Sequence, residues 1–166
     1  IYVAALNSLI IAFFSGIVGV SIALSIANFL IHSPFFSKYI EILSIFILAT
    51  SPIVMGTGIF LILRPFINLE ILTPILVILI NATMSLPFIL RALLPAMNKV
   101  SSDVGKLSDS LSIIGFNRFK IIIFPNIFPV VSFCMGLGCA LSMGDLGVIT
   151  LFSFGDIQTL PLAIFR

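Results

Sequence analysis

The chain has 166 residues, 60% hydrophobic and only 8% charged, with a formal net charge of +2. A soluble domain carries roughly 25% charged residues, so there are too few charges here to coat a water-facing surface, and lipid must be the solvent for much of the chain. A free-standing water-soluble domain is excluded, and the few basic residues are clustered in a way that gives no indication of nucleic-acid binding.

Charges divide the chain into four uncharged runs, residues 1–31, 42–63, 71–90 and 121–144. A helix rises 1.5 Å per residue and the hydrocarbon layer is about 30 Å thick, so about 20 residues suffice to cross it. The expected fold is an all-α integral membrane bundle, one domain over residues 1–166 with these four runs as spans. The tail, residues 145–166, is interrupted by Asp156 and Pro161 and is expected to be re-entrant or interfacial. The chain opens on Ile1 rather than a methionine and its tail has no returning span, which suggests a piece of a longer polypeptide.

In the first span Ser15, Gly19, Ala23 and Ala27 recur at every fourth residue, and in the fourth Ser132, Gly136, Ala140 and Gly144 do the same. Small residues at that spacing form a groove that lets another helix backbone approach, so both faces are expected to pack. Pro52, Pro74, Pro87, Pro125 and Pro129 are expected to kink helices or start them. His32, near the end of the first span, reads as an interfacial residue. Cys134 and Cys139 lie inside an apolar run and imply no disulfide framework.

Orientation follows from the basic residues. The loop over residues 91–120 holds Arg91, Lys99, Lys106, Arg118 and Lys120, against Asp103 and Asp109. It is expected on the cytoplasmic side, with the short 64–70 connection and the tail outside. Within this loop Ser101, Ser102 and Asp103 are N-cap residue types, and Gly115 can supply a left-handed stop. A helix is expected from Val104 to Ile114, with Leu107, Leu111 and Ile114 on one face. Such a helix could dock in a groove of a soluble partner or lie on lipid.

Signatures of enzyme chemistry are scarce. No Cys/His cluster has metal-ligand spacing, and no cofactor is expected. Gly105-Lys106 lacks a following Ser or Thr and has Val100 where a phosphate-binding loop needs glycine, so the chain has no nucleotide site of that kind. An intramembrane aspartyl protease needs two carboxylates facing each other in the membrane; Asp145 has only Asp156 as a companion aspartate outside the basic loop. A structural bundle that assembles partners without transport is a third class.

Asp109-Ser110-Leu111, then Gly115, then Pro125 resembles the "EAA" loop of permease subunits in binding-protein-dependent ABC importers, where a Glu-Ala-Ala triplet precedes the glycine by the same spacing. Asp109 stands at the glutamate position, and Ser110 and Leu111 replace the alanines; Gly115, Phe119, Ile122 and Pro125 fit the pattern. Asn7-Ser8-Leu9, the stretch from Ser51 to Gly58, and Leu86-Pro87-Phe88 are also similar to that family. The tail, from Leu141-Ser142-Met143-Gly144-Asp145 to Thr159-Leu160-Pro161, is most similar to the second half of thiamine permeases, in the branch that includes ferric-iron permeases.

The resemblance implies a multi-pass subunit of a bacterial inner or plasma membrane that moves solute by alternating access. Thiamine or its phosphate esters is the implied cargo, with ferric iron or another small solute as the alternative. The implied partners are a cytoplasmic ABC ATPase dimer, a second permease unit (fused or separate) and an external substrate-binding protein. ATPase coupling would fall on Asp109, Ser110, Leu111, Gly115, Phe119 and Pro125, and the substrate path on Ser142 and Asp145.

Overall fold

The computed structural model describes residues 2–63, 69–110 and 119–144. They form α1 (Tyr2–His32), a 3-10 turn (Pro34–Phe36), α2 (Ser37–Ala49), α3 (Pro52–Leu63), α4 (Leu69–Ser110), a π-helical turn (Phe119–Ile123) and α5 (Phe124–Met143). Helices suit lipid because each backbone N–H and C=O is satisfied within its own segment. Hydroxyls on these apolar helices follow the same rule: Ser21, Ser44, Thr83 and Ser132 each donate to the carbonyl four residues back, at 2.7–3.0 Å.

Three helices, Ala5–Ile31, Thr73–Asp103 and Ile121–Met143, are long and apolar enough to cross a membrane, and the bent pair α2–α3 makes up to four. The all-α membrane architecture is therefore the one expected. α1, α4 and α5 form the central layer. Ile11 packs with Leu76 and Ile80, while Ala27 packs with Leu93, Met97 and Ile127. At the opposite end of α5 from Ile127, Ser142 reaches Ser15. α1 and α4 thus run parallel, and α5 returns antiparallel to both.

The segment 42–63, expected as one span, is divided. α2 and α3 meet at 94° across Thr50 and Ser51. Thr50 is extended (φ −84°, ψ 140°) and caps α2 by donating its N–H to the Phe46 carbonyl at 3.1 Å and its Oγ1 to that of Ile47 at 2.8 Å. The cause is local: Pro52 disfavours helical geometry at Ser51 and then serves as the first residue of α3, where its missing N–H costs nothing.

The loop 91–120 also differs from expectation. α4 continues unbroken from Leu69 to Ser110, through Pro74, Pro87 and Pro95, so no new helix begins at Val104. Ser102 does not cap; its hydroxyl turns back to the Lys99 carbonyl at 2.8 Å, as a serine inside a helix does. A cavity of about 260 Å³ between α2 and α4 has Glu41 and Arg91 among its walls.

Of the two small-residue stripes, the one on α1 packs as expected: Ser15, Gly19, Ala23 and Ala27 are buried. The stripe on α5 does not. Ser132, Gly136, Ala140 and Gly144 are exposed, and a Cβ on Gly136 would meet nothing within 4 Å. The packed face of α5 carries Ile127, Cys134, Gly138 and Ser142 instead. Both faces have residues spaced by four, and polarity decides between them. Ser132 is satisfied by its own backbone, whereas the Ser142 hydroxyl bonds across helices, which requires it to face inward.

Candidate functional site

A chain of side-chain hydrogen bonds joins the three central helices. Asn81 of α4 donates from Nδ2 to Ser142 Oγ of α5 at 2.8 Å. Ser142 donates to Ser15 Oγ of α1 at 3.2 Å, and Ser15 donates to the Ile11 carbonyl at 2.8 Å. All three side chains are nearly sealed, with relative exposures of 3% for Asn81, 4% for Ser142 and 1% for Ser15. The order of donors follows from its end. A backbone carbonyl can only accept, so with Ser15 donating to Ile11, the Ser142 proton goes to Ser15 and Asn81 presents its amide N–H₂ to Ser142. The remaining Asn81 atom, Oδ1, is buried without a hydrogen-bond partner.

Beside this relay lies a cavity of about 480 Å³. Asn81, Met84 and Phe88 line it from α4, Ser142 of α5 and its C-cap Gly144 from a second side, and Thr50 and Pro52 from the α2–α3 break. Non-helical backbone at membrane depth is tolerated where it is covered by protein or lines a cavity, and the break meets that condition. A volume of this size suits a small organic molecule. Among the described residues its mostly apolar wall carries no ionisable side chain.

The expected site residues fall into three groups. Ser142 lies in the relay. Asp109 and Ser110 occupy the last turn of α4, Phe119 opens the π-helical turn with its ring 6.2 Å from that of Phe124, and Pro125 sits exposed in the first turn of α5. Leu111, Gly115 and Asp145 lie outside the described residues. Asn81 and Thr50 escaped the sequence reading. Asn81 had a usable signal, since it is the one carboxamide in the uncharged run 71–90. Ser15 was read as a packing residue, and it is one, but its hydroxyl also terminates the relay.

No family model matches the chain. Among curated proteins it is similar to the thiamine transport system permease protein ThiP of Brucella abortus (strain 2308), 39% identical over 120 residues, 72% of this chain and 22% of that protein. It is also similar to ThiP of Salmonella typhimurium, 33% identical over 132 residues (80% of this chain, 25% of the relative). ThiP of Escherichia coli (strain K12) is 33% identical over 129 residues, 78% of this chain and 24% of the relative. The chain thus spans about a quarter of the length of these relatives. The resemblance to importer permeases of the thiamine branch stands on these matches, and the relatives are transport permeases rather than enzymes.

Proposed function

We propose that this chain is the membrane-embedded part of a permease that admits thiamine or its phosphate esters in an ATP-driven importer of a bacterial inner or plasma membrane. The similarity to thiamine transport permeases carries this reading. A mid-span helix break beside a cavity, with polar side chains converging there, is consistent with a solute path, because transport sites near the bilayer midplane commonly use interrupted helices.

ATP hydrolysis belongs in this reading to a cytoplasmic ATPase dimer. α4 has 42 residues and so extends about 63 Å, roughly twice the hydrocarbon thickness. Its last turn, with Asp109 and Ser110, would lead into the contact with the ATPase groove through Leu111 and Gly115; Phe119 and Pro125 would carry the motion into α5. An external binding protein would deliver cargo, and a second permease unit would complete the path. Ser142 and Asp145 would face that path, with Asp145 attracting a fixed positive charge such as that of thiamine.

Proteoliposomes holding the permease with its ATPase and binding protein test the reading. Thiamine supplied outside with the binding protein should accumulate in vesicles preloaded with ATP and ferric iron should not; ATP-dependent uptake of iron alone would reassign the cargo. In the same assay Asp145→Asn should lower thiamine uptake and Asp145→Glu should partly preserve it, and unimpaired uptake in Asp145→Asn would remove Asp145 from the path.

A further inference from the structure

We infer that Asn81 is the hydrogen-bond acceptor that recognises an amino-bearing aromatic ring in the cavity between the α2–α3 break, α4 and α5. The inference rests on the transport reading above and adds a residue and a chemistry to it.

A buried carbonyl oxygen without a donor is costly, and a fold that retains one invites an explanation. The relay prevents the protein from supplying that donor itself. The Ser142 proton is committed to Ser15 and the Ser15 proton to Ile11, so neither hydroxyl is free to turn toward Asn81. With the hydroxyl protons so placed, a flipped amide would set the Asn81 carbonyl oxygen against the Ser142 oxygen, where an N–H donor is needed, and would leave the amide nitrogen unpaired instead. Asn81 is thereby held as an acceptor.

The cavity sets the rest of the chemistry. Phe88 and Met84 on its wall provide an aromatic face and a polarizable sulfur, surfaces on which a flat ring rests well. The ligand is therefore a flat heterocycle carrying an N–H donor. In thiamine the exocyclic amino group of the pyrimidine is that donor. Oδ1 is covered by protein atoms here, so a ligand reaches it only when those atoms move, and the α2–α3 break is one wall of the cavity. That wall consists of the ends of two short helices meeting at 94°, a joint able to hinge.

The test is competition binding of labelled thiamine to the permease in lipid nanodiscs, with the binding protein absent so that its selectivity does not enter. Oxythiamine, in which a carbonyl oxygen replaces the amino group, would set two acceptors against each other. The wild-type protein should prefer thiamine over oxythiamine by about threefold to tenfold, the worth of one such hydrogen bond. Asn81→Ala should bring that ratio near one, and Asn81→Asp, which keeps an acceptor oxygen, should restore a preference for thiamine. A loss of fold would lower both affinities together and leave the ratio alone, so the ratio reports recognition. No thiamine binding in wild-type nanodiscs, no wild-type preference, or an unchanged ratio in Asn81→Ala would overturn the inference. If Asn81→Ala does not fold, the wild-type ratio decides by itself. Absence of thiamine uptake by the complete importer would instead sink the transport reading, so the two failures are distinguishable.

Discussion

Gly138 of α5 rests against Gly16 of α1 so closely that a Cβ on Gly138 would lie 3.3 Å from the Gly16 Cα. The contact fixes how near the two helices come. In lipid, where tails are as apolar as leucine, helices associate through close packing and interhelical hydrogen bonds rather than through the hydrophobic effect. The glycine pair supplies the first, and the Ser142–Ser15 bond the second.

Gly16→Ala should therefore loosen the bundle. The new Cβ would sit 2.9 Å from Cys139 Sγ and 3.2 Å from the Met135 carbonyl oxygen, and the latter is backbone that cannot swing away. Overpacking of this kind costs about 1–3 kcal/mol. Equilibrium unfolding of the monomeric chain in mixed micelles should register the loss, while Gly136→Ala, on the outward face, should change stability by less than about 0.5 kcal/mol. Equal sensitivity at the two glycines would mean that α5 is rotated from the orientation described here.

The break at Thr50 and Ser51 can be measured directly. Spin labels on Lys38→Cys and Ile62→Cys, with the native cysteines replaced, should lie about 23 Å apart in a straight line across the bend, against about 36 Å for one straight helix. Pro52→Ala removes the constraint on Ser51 and should shift the distribution toward the longer distance. A single long distance in the unmodified sequence would refute the bend.

Orientation is open to labelling. With Cys134 and Cys139 removed, a cysteine at Asn68 should react with a membrane-impermeant thiol reagent on intact cells, and one at Ser110 should not, because the basic residues gather in the 91–120 region. The reverse pattern would invert the whole arrangement.

On the proposed transport reading, coupling to an ATPase should depend on Gly115. At a positive φ, Gly115→Val would strain the backbone by about 1–2 kcal/mol. Substrate-stimulated ATP hydrolysis should fall at normal membrane levels of the variant. Stimulation equal to that of the unmodified protein would move the coupling element elsewhere.

The membrane character of the chain was legible in the sequence, because long uncharged runs have no other stable solvent than lipid. So was the packing stripe of α1, whose small residues recur with the helical period. The outward stripe of α5 has the same period, and nothing local distinguishes it from the packed one. The choice fell to Gly138 and Ser142, which find Gly16, Ser15 and Asn81 only after three distant segments are brought together. Ser102 could have capped a new helix; it did not, because α4 carries helical hydrogen bonding straight through that point. Periodicity and charge thus determine which segments enter the bilayer, since those depend on each segment's own transfer from water. Which face of a helix turns inward, and which buried oxygen is left without a donor, depend on partners up to 127 positions away, and only the tertiary structure decides them.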